Sequence, residues 1–351
     1  EEPLWAAAID AELANIRAAL SWCLDHDPLS ASDIVAALYW YAYWYGTAEV
    51  FDWADRTVEV VSSMTSPRVA AALATAAAGS CRRGDLDRAR MLAERAIALA
   101  QGTDPGAARF AWEALRSAEL LSGDYARALE HRDAALLLAR ASGDTVHEVH
   151  AHVAGALIRG YLGRREDAEA ELATAAELLD AHAHPTERAF HDYVAGEIRI
   201  DTSPTEALPF LWRSVESARR IGNRFIAGIA GVSAVSCAAR VGDPSAAIAG
   251  YAEVIEFLHR AGAWPQLWTT LRTLVETLTR SGRYEPAAIL HGALTSSPTA
   301  PAILGTDEVR MAEVVAELRE RLGDERLAAL QTKGAGFSGE QAYAYALRAV
   351  R

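Results

Sequence analysis

The hexapeptide GDYARA, residues 123–128, decides the fold, because versions of it recur along the whole chain. In each, a tight turn is followed five residues after its glycine by an alanine. The other copies are Gly84-Asp-Leu-Asp-Arg-Ala89, Gly163-Arg-Arg-Glu-Asp-Ala168, Gly242-Asp-Pro-Ser-Ala-Ala247 and Gly282-Arg-Tyr-Glu-Pro-Ala287, with a sixth, Thr202-Ser-Pro-Thr-Glu-Ala207, that lacks the glycine. The alanines step by 39, 40, 39, 40 and 40 residues. An internal period of about 20–50 residues marks stacked supersecondary units.

Each unit reads as two helices. The glycine ends the first, since it reaches the left-handed conformation without a Cβ clash. Asp85, Asp124 or Asp243 then caps the second, its carboxylate accepting from free N–H groups. Pro204 and Pro244 fall near helix starts, where a missing N–H costs nothing. The alanine sits where two helices approach closely, and seven residues on the same face carries Ala96, Ala135, Ala175, Ser214 and Val254. Glycines at 102, 143, 222 and 262 end the second helix of four units. No alternating stretch bounded by Asn-Gly or Asp-Gly signals a strand. The expectation is an all-α chain: junction helices over 1–64, six helix pairs over 65–297, and capping helices over 298–351.

Bulk composition narrows the function classes. The chain has 351 residues, is 51% hydrophobic and 23% charged, and carries a formal charge of −13. That balance suits a folded chain, and the negative charge disfavours direct contact with a nucleic-acid backbone. Cys23, Cys81 and Cys237 are odd in number and far apart, as expected of core thiols in a reducing cytoplasm. The longest uncharged runs, Ile34–Ala48 and Phe225–Ala239, are fifteen residues each, short of the ~20 that cross a bilayer. The first is further interrupted by Gly46.

The repeat resembles the tetratricopeptide family. The second unit carries Trp112, Leu115, Gly123, Asp124, Tyr125, Ala128 and Ala135, and the sixth Leu271, Leu274, Gly282, Tyr284 and Ala287. The flanks resemble actinobacterial signal-transduction ATPases with numerous domains (STAND). The matching stretches are AELANIRAALSWCLDHD at 11–27, ALYWYAYWYG at 37–46, AAILHGALTSS at 287–297, VAELRERLGDERLAAL at 315–330 and SGEQAYAYAL at 338–347. The resemblance implies an α–α superhelix acting as the sensor half of a longer regulator. An ATPase would lie upstream, and the effector would be a DNA-binding domain or a nucleotide cyclase. A protein partner or small-molecule inducer would bind the concave groove and control that effector. The alternative is a stand-alone tetratricopeptide adaptor. The chain has no Gly-x4-Gly-Lys-Ser/Thr, so no phosphate-cradling loop for ATP is expected within it.

Other residues are weighed against structural roles. The run LYWYAYWYG at 38–46 holds six aromatics in nine positions, in a chain that is 8% aromatic. On a helix they cover most of the circumference, which favours burial at a junction over an aromatic ligand platform or a membrane patch. HEVHAH at 147–152 places Ala151 where the zinc-protease pattern needs histidine, so no metal is expected there. HAH at 182–184 falls in a turn. FIAGIAGVSAVSCAA at 225–239 reads as tight helix packing, because no strand precedes its glycines. No Gly-x-Ser-x-Gly elbow or carboxylate pair suggests an enzyme, and no cofactor is expected.

The family's groove positions fall on the first helix of each unit. They map to Ala74, Ala78 and Arg82; Phe110, Glu113 and Ser117; His150 and Tyr161; Asp192 and Arg199; Ser236 and Arg240; and Arg272, Glu276 and Arg280. The strongest ligand-binding candidates are Arg82, Phe110, Glu113, His150, Tyr161, Asp192, Arg199, Arg240, Arg272 and Glu276. The family's clamp for peptide carboxylates needs Lys and Asn at such positions; this chain has Asn only at 15 and 223, so the clamp is not expected. The chain's arginines could grip an anion bidentately or pair internally with Glu113, Asp192 and Glu276, the use expected more strongly.

Overall fold

A computed structural model describes residues 2–45, 48–100, 102–182, 184–242, 244–303 and 306–351. The described residues form twenty α-helices and no strand. Four helices precede the repeats: α1 (Glu2–His26), α2 (Pro28–Ala37), α3 (Tyr39–Tyr45) and α4 (Ala48–Val60). The first four units are α5 (Arg68–Arg83) with α6 (Leu86–Ala100), α7 (Pro105–Ser122) with α8 (Tyr125–Ser142), α9 (Thr145–Tyr161) with α10 (Arg165–Ala181), and α11 (Pro185–Glu197) with α12 (Pro204–Arg220). In the fifth, α13 (Arg224–Val241) pairs with two pieces, α14 (Pro244–Ile248) and α15 (Tyr251–Arg260). The sixth is α16 (Trp264–Arg280) with α17 (Tyr284–Ser296). α18 (Thr306–Leu322), α19 (Asp324–Ala335) and α20 (Gly339–Val350) close the chain.

The two helices of each unit pack on each other, and the second also packs on the first helix of the next unit. First helices touch as well: α5 with α7, α9 with α11, α11 with α13, and α13 with α16. α16 in turn meets α5, so the last of this series returns to the first. At the crossings the recurring alanines are buried: Ala89, Ala128, Ala168, Ala207 and Ala287 have no exposed surface. Ala247 is only half-buried. The positions seven residues on, Ala96, Ala135, Ala175, Ser214 and Val254, are all buried.

Local signals explain the helix ends. Gly123 stands at φ +84° at the end of α7, where any Cβ would be strained. Asp124 then accepts from the Arg127 amide at 3.1 Å and starts α8, and Asp85 accepts from the Arg88 amide at 3.2 Å. Gly46 and Asp243 lie outside the described residues. Gly242 departs from the pattern, with φ −139° and ψ −143°. The fifth unit departs again at Gly250, where a Cβ would stand 2.6 Å from Val235 Cγ2; there the second helix breaks into α14 and α15. Asp124→Ala is expected to lower the unfolding free energy by about 1 kcal/mol through loss of the cap. The urea midpoint reads this, and an unchanged midpoint would refute the capping role.

Among the described residues one helix, Arg224–Val241, is long and apolar enough to cross a membrane by length and composition, but 61% of it is buried within this protein. It packs between α12, α15 and α16. Its glycines lie against neighbouring side chains: a Cβ on Gly228 would stand 3.0 Å from the Phe257 ring. Cys23, Cys81 and Cys237 are buried free thiols.

Candidate ligand-binding groove

The first helices face an interior whose N-terminal half is filled by the chain's own aromatic helix. Instead of stopping at the first repeats, α3 runs along residues of α5, α7, α9, α11 and α13. The Tyr39 ring stacks on Phe110 at 4.0 Å, and its hydroxyl donates to Glu113 at 3.5 Å. Trp40 leans on His147 at 4.4 Å. The Tyr43 carbonyl accepts from the Arg82 guanidinium at 2.6 Å, and its hydroxyl accepts from Arg116 at 3.3 Å. Trp44 sets its edge against Phe190 at 5.2 Å and His150 at 5.5 Å. Tyr39, Tyr41 and Trp44 are almost wholly buried. Trp44 joins the core of the middle units, while Tyr39 and Tyr41 join the N-terminal core. A helix apolar on every side is stable only when covered on every side, and here the first helices cover it.

Burial sets the charge states of this interior. His150 is 1% exposed and its pKa is lowered to about 3 by desolvation. Glu187, equally buried, is pushed well above the carboxylate range by the same cause. Their nearest atoms are 3.4 Å apart, yet both shifts favour the uncharged forms. Desolvation thus works against an ion pair at this contact from both sides. Both ring nitrogens of His150, both carboxyl oxygens of Glu187 and Trp44 Nε1 lack a hydrogen-bond partner. Around them stand Tyr39 and Tyr43 from α3, Arg82 from α5, Arg109, Glu113 and Arg116 from α7, Asp144 and His147 at α9, and Glu2 from α1. Burial lowers the Arg82 pKa to about 10, so it stays charged at neutral pH. Its guanidinium lies 4.6 Å above the Phe225 ring and 5.5 Å above that of Phe51, contacts that offset part of the desolvation.

The histidines of the HEVHAH stretch are each engaged separately. His147 bonds to Asp144 at 2.8 Å, and His150 sits among the aromatic rings. His152 contacts Glu171 and, at 3.1 Å, the Arg140 guanidinium. Among the described residues no three His, Cys, Asp or Glu side chains gather as a metal site.

The C-terminal half of the interior is polar and partly open. α18 lies across α16 there. Arg240 bonds to Asp201 at 3.0 Å and stands 3.3 Å from Glu276. Arg310 of α18 shares Asp201 and also meets Asp307. Arg272 pairs with Asp307 at 2.5 Å. Beside this network is a cleft of about 550 Å³, between the α11–α12 turn, the ends of α13 and α16, and α18.

The ten candidates thus divide. Arg82, Phe110, Glu113 and His150 meet around α3, and Arg240, Arg272 and Glu276 meet beneath α18. Tyr161, 44% exposed, donates its hydroxyl to Glu197 at 3.3 Å and lies close enough to Arg272 to interact with its charge. Asp192 and Arg199 face neighbouring helices. Asp192 accepts two bonds of 2.8 Å from Arg213 on α12, and Arg199 donates to Glu169 on α10 at 3.0 Å. Of the three expected acid partners, Glu276 pairs with an arginine from the candidate set and Asp192 with Arg213, while Glu113 takes the Tyr39 hydroxyl. Sequence reasoning did not single out Glu187, Asp201 or the α18 side chains Arg310, Glu313 and Glu317. None occupies a repeated groove position, so the period carried no signal for them. No protein-family model matches the chain, and no curated protein matches it either.

Proposed function

We propose that the chain is a non-catalytic sensing and interaction module, built as a tetratricopeptide-like superhelix and linked in its full protein to a STAND-type ATPase. An inducer or partner bound in the groove biases that ATPase, and through it a transcriptional or cyclase effector, in the cytoplasm. Binding can do this only by favouring one of two states over the other. The observation carrying the reading is the interior itself. Six first helices converge on it, most of their buried charges are paired, with α3, with second helices or beneath α18, and a cleft of about 550 Å³ opens against α18. That volume lies within the range of about 300–1,000 Å³ used by small-molecule sites. The cleft joins three units to a helix outside the array, so a ligand there would clamp the array to its C-terminal cap.

The test is a thermal-shift and surface-plasmon screen of the full chain against metabolites and candidate partner domains, including any P-loop domain encoded just upstream. A ligand at a hundredfold its Kd should add about 2.7 kcal/mol to the folded state. A screen that finds no binder of either class would sink the sensing role. An upstream start codon with no P-loop would favour the stand-alone adaptor.

A further inference from the structure

The charges around the cleft do not match an anion, although arginines are its most visible feature. Arg240 and Arg310 share Asp201 and Glu276, and Arg272 pairs with Asp307. Three cations and three anions are thereby neutralised against one another. Three lining charges remain. Arg280 stands 3.8 Å from Glu276 and donates to the Arg240 carbonyl at 3.2 Å, but 40% of its side chain stays exposed. Glu313 and Glu317 line the opposite wall from α18 and have no partner among the described residues. They are four residues apart on one helix, so their carboxylates face the same way and repel each other. Ile200, Val309 and Val314 give the cleft apolar wall.

We propose that this cleft binds a small zwitterion with an aliphatic body, its ammonium held by Glu313 and Glu317 and its carboxylate by Arg280. The proposal rests on the sensing role and gives its ligand a chemical class. An anion alone would meet two unpaired carboxylates, and a cation alone would meet Arg280. Only a molecule carrying both charges satisfies both walls. Opposite charges across a partly enclosed site give selectivity through the penalty paid by the mismatched ligand. Bridging α16 and α18, such a ligand would fix the cap to the sixth unit.

The test is calorimetry on the full chain with two zwitterions of different charge separation, L-leucine and 6-aminohexanoate. Each is compared with its one-charge analogues: 3-methylbutan-1-amine and 4-methylpentanoate for leucine, pentan-1-amine and hexanoate for 6-aminohexanoate. At least one zwitterion should bind, with both of its analogues about tenfold to a hundredfold weaker, the value of one charged hydrogen bond. In Arg280→Gln the zwitterion and the amine should become equal, and in Glu317→Gln the zwitterion should weaken toward the carboxylate. Equal binding of an amine or a carboxylate by the unmodified chain would overturn the zwitterion assignment. So would the failure of both zwitterions. If that failure comes while the metabolite and partner screen yields another binder, the sensing role stands and only the ligand class falls. If both fail, the sensing role falls too.

Discussion

Gly334→Ala is expected to unseat α19 from α17 and to lower the unfolding free energy by about 3 kcal/mol, the upper part of the usual overpacking range. The two helices cross backbone to backbone through a pair of glycines. A Cβ on Gly334 would overlap the Ile289 carbonyl oxygen and stand 2.8 Å from its carbon and 2.9 Å from the Ala293 nitrogen. On the facing helix, a Cβ on Gly292 would overlap the Gln331 carbonyl oxygen and stand 2.7 Å from the Gln331 Cα. These neighbours are main chain, so no rotamer change relieves the clash, and the helices must separate. Separation would open the C-terminal core, where Leu327 and Leu330 of α19 pack with Ile289, Ala293 and Leu294 of α17. Gly336→Ala is the control. It lies two residues away with φ −81°, and its Cβ would meet only ordinary contacts at 3.6 Å and beyond, so its effect should stay within about 0.5 kcal/mol. Urea unfolding of both variants, with proteolysis mapping cleavage around α19, reads the difference. Equal stability of the two would show that the crossing is not as tight as described.

That crossing shows where the sequence stops being informative. The forty-residue step of alanines is a local regularity, and it was enough to give an all-helical chain with paired helices. HGAL around Gly292 and KGAG around Gly334 carry no such sign. A glycine inside a helix usually reads as a weak point, and only the approach of a second helix from elsewhere in the chain turns it into a contact. Gly242 and Gly250 err in the other direction. The repeat predicts one turn and an unbroken helix there, while the second helix is broken in two, with Gly250 at the break and Val235 packed close against it. The candidate site was legible to a similar depth. Motif positions located residues on the first helices, four of which meet around α3. They could not show that the interior would be filled from residues 39–45, because that depends on contacts far apart in sequence. One of these ties Glu2 to the Thr186 amide at 3.2 Å, across 184 positions. Internal pairing of the cleft arginines was expected over an anion, and Glu276 was among the named partners, but Asp201 on the α11–α12 turn and Asp307 on α18 follow no repeat and carried no signal.

The buried His150–Glu187 contact predicts a stability curve that is flat in mildly acidic solution and falls on both sides. Between pH 4.5 and 6.5, the unperturbed values for the two groups, the unfolded chain holds one proton on the pair, on the histidine. The native chain also holds one, on Glu187, so the two linkage terms cancel. Above pH 6.5 the unfolded histidine has lost its proton, and native Glu187, its pKa raised well above 4.5 by desolvation, binds more protons than the unfolded chain up to the point where it ionises itself. Stability should then drop by about 1.4 kcal/mol per pH unit until Glu187 ionises in place. Below pH 4.5 the unfolded pair holds two protons against one in the native state. Stability drops again toward the native His150 value of about 3. Asp144 adds to this acid limb. Although burial would raise its pKa, His147 and Arg109 hold it below the carboxylate range. Glu187→Gln separates the terms by leaving the histidine alone. Its contribution should be level above pH 6.5 and should decline from 6.5 downward, so the difference between variant and parent isolates the carboxyl from every other titrating group. Unfolding free energies from urea titrations at successive pH values measure both curves. If Glu187→Gln runs parallel to the parent above pH 6.5, then Glu187 is not a proton-bearing group in the native core. The α3 seat would then have to be charged at neutral pH.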